Sequence, residues 1–252
     1  MNHKTFFILS FVLALMACKN EPQHLYKIEG KNITITDSLA TDASIDAFIK
    51  PYREHVNQNL DSVLAYSKGT YSKSDGKLNT AIGNFMADMV YEQANPVFKK
   101  RTGHSIDFVL LNHGGIRAII SKGDITTRTA FEVMPFENSL VVADLKGAQV
   151  KELLDYLARN KRAHPIAGLK LVLDQDFNIA EASVHGTPID FNKHYFVCTN
   201  DYLAGGGDRM NFFKTNDSLY VLDYKVRNAM IDYFKKVDTI NPKIDDRFIQ
   251  KK

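Results

Sequence analysis

Cysteine is almost missing from this chain, with two in 252 residues, Cys18 and Cys198. A disulfide-stapled scaffold is thereby excluded, and the fold must rest on an ordinary core. At this length and 44% hydrophobic content the chain can bury one. Excess charge is also lacking. The formal net charge is +3, and Lys and Arg are scattered apart from Lys99-Lys100-Arg101, which reads as a solvated helix end. Neither a nucleic-acid polymer nor an acidic membrane surface is implied as a partner. The apolar run from Phe6 to Met16 is too short to span a bilayer as a mature helix. No internal repeat, low-complexity stretch or Pro/Gly/Ser-rich linker divides the sequence.

Familiar active-site motifs are absent too. There is no Gly-x-x-x-x-Gly-Lys-Ser/Thr loop and no Gly-x-Ser-x-Gly elbow, and the run from Gly205 to Met210 lacks the last glycine of a dinucleotide fingerprint. His-Glu-x-x-His, Asp-x-His and cysteine clusters are missing, and the eight histidines are dispersed. No set of ligands for a dinuclear metal centre can be assembled. The sequence therefore offers no catalytic residue and no metal ligand, and no cofactor is assigned to this chain.

What is present begins at the N-terminus. Lys4, the apolar run and Leu15-Met16-Ala17-Cys18 resemble a bacterial lipobox. Residues 1–17 are expected to be a signal peptide and Cys18 a lipidated anchor on the periplasmic face of the cell envelope. Residues 18–35 are read as a tether with one or two short strands, the alternation running from Leu25 to Thr36. Residues 36–252 form the domain proper, a single α/β domain with a mixed sheet.

Within it, the stretch from Ile45 to Ser67 has helical period, interrupted at Pro51, which should kink or restart the helix. A second helix starts at Asn79 or Thr80 and ends near Asn95-Pro96. "IDFVLLN", from Ile106 to Asn112, reads as a strand buried on both faces. A short helix before Pro135, a strand from Asn138 to Gly147 and an amphipathic helix with Val150, Leu153, Leu154 and Leu157 inward follow. A hairpin turning at His185-Gly186, the strand "HYFVCTN" and a last helix close the chain. Cys198 in that strand reads as a small buried hydrophobe.

Three loops carry the chemistry. The first, Asn112-His113-Gly114-Gly115-Ile116-Arg117, ends a buried strand with an amide, two peptides without Cβ and a guanidinium. Asn112 both donates and accepts, which suits a heterocycle edge or a ribose, and Arg117 can clamp a phosphate or carboxylate. The second is Pro135-Phe136-Glu137-Asn138, and the third runs from Asp201 through Tyr202 and Gly205-Gly206-Gly207 to Asp208. Taken singly, Phe136 is as readily core and the glycine triplet as readily a turn. Together, two aromatics, amides, a carboxylate and an arginine are the inventory for holding a nucleotide.

"NHGGIR", "GDIT", "PFEN" with "LVVADLKGAQV", and "NDYLAGGGD", in this order, resemble the C-terminal domain of the 5′-nucleotidases, the family of UDP-sugar hydrolases and ecto-5′-nucleotidases. The likeness runs from about Thr36 to Lys236. It implies an α/β-β/α layered module that binds the nucleoside part of a substrate. Carried over by motif, Phe136 and Tyr202 would sandwich the base, Asn112 and Asn138 would meet its edge, Asp208 the ribose hydroxyls and Arg117 the phosphate. Gly114, Gly115 and Gly207 complete the expected site, and His113 is a lining residue. The ligand expected is a nucleoside, a nucleoside monophosphate or a UDP-sugar.

The sequence departs from the family in four places. Lys77 alone could replace a second phosphate-binding arginine, Arg209-Met210 stand where the family has Gly-Phe, and Glu137 sets a charge beside Phe136 that opposes a phosphate. The metallophosphoesterase domain has no counterpart in these residues. The resemblance thus implies the substrate-binding part of a split 5′-nucleotidase, with divalent metals (Mn, Zn or Ca) held by a separate metallophosphoesterase. The alternative is a lipoprotein that binds nucleosides or nucleotides for scavenging without hydrolysis.

Overall fold

The computed structural model describes residues 24–251, together with His3. Apart from His3, the signal segment, Cys18 and the start of the tether lie outside these residues. The chain divides into two units, one ending at Ile49 and one beginning at Lys50.

In the first unit, residues 24–36 form no strand, against the expectation from their alternation. All are exposed, and no described strand offers them a ladder; without a partner an alternating pattern cannot fix extended structure. Asp42 accepts the N–H groups of Ser44 and Ile45 and so caps helix α1 (Ala43–Leu60). This helix runs through Pro51 instead of restarting there. None of its residues is buried, so water can satisfy the carbonyl that proline leaves without a donor.

Beyond helix α1 the second unit departs from the expectation. Residues read as the end of a helix form strand β1 (Val63–Ser67), in which Ala65 and Ser67 face inward. Ladders on both sides override the helical period. Helix α2 (Ala81–Thr102) is capped by Thr80, whose Oγ1 accepts the Gly83 N–H at 3.1 Å. It continues past Pro96 because Phe98, fully buried, anchors the last turns. Lys99, Lys100 and Arg101 are its exposed end, as expected.

There follow β2 (Phe108–Leu110), β3 (Gly123–Thr126), α3 (Thr127–Val133), β4 (Ser139–Lys146), α4 (Gly147–Asn160) and β5 (Ile166–Ala167). Next come β6 (Leu169–Leu173), β7 (Ile179–Val184), β8 (Thr187–Pro188), β9 (His194–Asn200) and the single turn α5 (Asp201–Ala204). The chain closes with β10 (Ser218–Lys225), α6 (Val226–Phe234), β11 (Thr239–Ile240) and β12 (Phe248–Gln250).

The central sheet is mixed, in the order β10-β4-β9-β2-β5, with only β2 and β9 parallel. Two smaller sheets have the orders β11-β1-β3 and β12-β6-β7-β8. Alternate residues of the central strands feed two separate cores. Val109, Leu140, Val142 and Cys198 belong to one with α2, α3 and α6, while Phe108, Leu110, Leu145 and Val197 belong to the other with α4. The interleaved α/β architecture with a mixed sheet agrees with the sequence, as does β2 buried on both faces. Burial pushes the Cys198 thiol far above its usual range, which suits a packing role.

Candidate functional site

The strand directions explain why three distant loops meet. Strands β2 and β9 run parallel, so the segments after Leu110 and after Asn200 leave the same edge of the sheet. Strand β4 is antiparallel to β9 with Leu140 opposite Asn200, so its entry loop lies at that edge too. Ligand crevices beyond the ends of strands are the common result of such a layout.

On the first loop Asn112 is 9% exposed, and among the described residues its side-chain amide has no hydrogen-bond partner. A Cβ on Gly115 would stand 2.9 Å from Asn112 Oδ1, so glycine there is what lets the amide lie against the backbone. A Cβ on Gly114 would meet only ordinary contacts, so that glycine keeps the rim low. Arg117 is exposed, and its guanidinium carbon lies 5.8 Å from the Phe136 ring centre.

The second loop is organised by Arg227, which projects from α6 and is 6% exposed. Its Nη1 donates to the carbonyls of Pro135 and Phe136 at 3.2 and 3.4 Å, and its Nη2 to Glu137 Oε1. The Glu137 carboxyl is thereby held below the usual carboxylate range. The charge expected to oppose a phosphate is instead paired with a buried arginine. Arg227 also stacks on Phe131, 4.1 Å from its centroid.

On the third loop the Tyr202 hydroxyl donates to Asp208 Oδ1 at 3.0 Å and accepts the Asp208 N–H at 3.2 Å. Tyr156 Oη donates to the Asp208 carbonyl at 2.9 Å. Asp208 and Arg209 both adopt left-handed backbone, with φ of 52° and 64°. Asn200 caps α5 by accepting the Leu203 N–H at 2.9 Å.

These loops enclose a cavity of about 310 Å³, at the small end for ligand pockets. Asn112, Gly114, Gly115 and Arg117 line it from the first loop, Phe136 and Asn138 from the second, Tyr202 and Asp208 from the third. Both rings remain close to half exposed, so their faces are available. Gly207 does not line the cavity. A Cβ there would lie 2.5 Å from the Tyr202 ring, so this glycine seats the ring rather than touching a ligand. Met134 and Asn200 also line it and were not expected from the sequence, where one is an apolar helix end and the other a strand end.

Lys77 is not at this site. It borders a larger cavity of about 830 Å³ beside Phe177 and Phe248, on which none of the three loops converges. Another, of about 480 Å³ by Tyr91 and His185, likewise holds none of them. His113 faces away into a neighbouring hollow, its Nδ1 3.2 Å from the Ala163 carbonyl. Burial lowers its pKa, the Ala163 carbonyl opposing. No group of three or more His, Cys, Asp or Glu that could hold a metal comes together among the described residues.

Comparison with known proteins gives a consistent result. The family model described as 5′-nucleotidase, C-terminal domain, matches residues 60–215. Protein UshA of Salmonella pullorum is 36% identical over 186 residues, which is 71% of this chain and 32% of that protein. The trifunctional nucleotide phosphoesterase protein YfkN of Bacillus subtilis is 33% identical over 186 residues, 67% of this chain and 12% of that protein. This chain therefore spans a third or less of the length of these relatives. The solved 5′-nucleotidase precursor from Thermus thermophilus superimposes with a TM-score of 0.68 at 24% identity, covering 81% of this chain and 42% of that one. At that identity the likeness speaks for the fold.

Proposed function

The chain belongs to the family of 5′-nucleotidase C-terminal domains, with a nucleotide-related role, and from that premise we propose that it holds the nucleoside part of a nucleotide. The base enters between Phe136 and Tyr202, with the amides of Asn112 and Asn138 at its edge. Asp208 receives ribose hydroxyls, and Arg117 meets the 5′-phosphate or the diphosphate of a UDP-sugar. One observation carries this reading. The Asn112 side-chain amide, without a protein partner among the described residues, opens into a cavity walled by two half-exposed rings. An amide that meets the cavity with both its donor and its acceptor uncommitted to protein can pair with a heterocycle edge.

Hydrolysis of such a ligand calls for a metal centre, supplied in this proposal by a separate metallophosphoesterase in the same exported compartment. Support for that compartment comes from the lipobox-like segment at Cys18, which lies outside the described residues. Affinity purification of the chain from solubilised envelope, in the presence of Mn²⁺, tests this. The expected eluate hydrolyses 5′-AMP and loses that activity in Phe136→Ala. An eluate that binds adenosine and never hydrolyses 5′-AMP contradicts the split enzyme and selects a scavenging binder. Cys18→Ser should release the chain from the membrane fraction.

A further inference from the structure

A second hollow of about 310 Å³ adjoins the first, and the two share Gly114 and Asp208 as a common wall. Arg162 and Arg209 line it, and neither guanidinium has an ion pair or hydrogen bond among the described residues. On one side stands His164, 3% exposed. Its Nδ1 accepts the His113 N–H at 3.3 Å, which places the ring proton on Nε2. Two cationic groups thus border one space, against the single carboxylate of Asp208.

Arg209 sits at φ 64°, a left-handed conformation that glycine adopts without strain and arginine does not. A side chain kept at such a position is a pointer to use. Tyr156 fixes the same turn by donating to the Asp208 carbonyl, so the guanidinium is presented from a braced loop. An arginine fork of this kind is suited to phosphate oxygens.

We propose that this hollow is an anion subsite for a phosphate on the 2′- or 3′-oxygen of a nucleotide's ribose. The inference rests on the nucleoside reading above, because it places the ribose hydroxyl edge at Asp208, the wall between the two cavities. One remaining hydroxyl donates to Asp208 while the phosphate passes to Arg162 and Arg209. Arg117 borders only the first cavity, so the 5′ end and the 2′,3′ edge are read by different cations.

The test is calorimetric titration of the purified chain with adenosine, 3′-AMP and 2′-AMP at fixed ionic strength. At least one of the two phosphates should bind about tenfold tighter than adenosine, the gain from new charge-assisted hydrogen bonds. Arg162→Ala, outside the nucleoside cavity, should abolish that gain and leave adenosine affinity as it was. Arg209→Gly, which also relieves the backbone, should do the same in a chain that is at least as stable. Adenosine binding with no gain for either phosphate overturns the subsite and leaves the nucleoside reading standing. A gain that survives both substitutions also overturns it. No binding of adenosine overturns the nucleoside reading, and the subsite with it.

Discussion

The Tyr202 hydroxyl is tied twice to Asp208, donating to its carboxylate at 3.0 Å and accepting its backbone N–H at 3.2 Å. The ring proposed to stack and the carboxylate proposed to meet ribose are thus hydrogen-bonded to each other. Tyr202→Phe keeps the ring and removes both ties. We expect nucleoside affinity to fall by about 1 kcal/mol, with little change in melting temperature because the pair is exposed. Tyr202→Ala should cost about 1–3 kcal/mol of binding. A large drop in melting temperature with either change would assign the ring to the core.

Gly207 tests the same element from below. Alanine would place a Cβ 2.5 Å from Cε1 and Cζ of Tyr202, well inside contact distance. The half-exposed ring can swing outward, so stability should hold while nucleoside affinity falls about as far as in Tyr202→Ala. Unchanged affinity in Gly207→Ala, by the same titration, would show that the ring's seat is irrelevant to binding.

Arg227 is the keystone of the loop that carries Phe136. Arg227→Met leaves the Pro135 and Phe136 carbonyls without their donor and Glu137 without its partner. A loss of roughly 2–3 kcal/mol in urea-unfolding free energy is expected, from buried hydrogen bonds to a charged group. Nucleoside affinity should drop with it although Arg227 does not line the cavity. Intact affinity in a destabilised variant would separate the loop's stability from Phe136's function.

His164 gives a pH signature. Burial pushes its pKa down to about 4, with the Leu111 carbonyl opposing, against about 6.5 for the unfolded chain. The unfolded state therefore binds the proton first. The stability from keeping this imidazole neutral is complete above about pH 6.5 and is lost as pH falls toward 4, on the order of 3 kcal/mol in all. Unfolding free energies at pH 7, 5.5 and 4.5 should show this decline, and His164→Asn should flatten it. An equal decline in the variant would assign it to other groups.

Much of this was legible in the sequence for a physical reason. Buried strands announce themselves as continuous apolar runs, and glycines, amides and rings stand out where such runs stop. The ends of β2 and β9 were found that way, and so was Thr80 as a helix cap. What stayed hidden depends on contacts across long separations. Arg227, 90 residues from Glu137, looks in sequence like one more solvated charge on an amphipathic helix; only the packing of α6 against the loop buries it. Val63–Ser67 has a helical period that two neighbouring ladders overrule. Lys77 looked like a phosphate contact because of its place along the chain, while its strand-free loop carries it to another cavity.

The most direct measurement is calorimetric titration of the chain with adenosine, in wild type and in Phe136→Ala. Saturable binding that weakens by about 1–3 kcal/mol in the variant, with melting temperature nearly unchanged, is the predicted result. Absence of heat and of any thermal shift with adenosine, or binding indifferent to Phe136, would contradict the account.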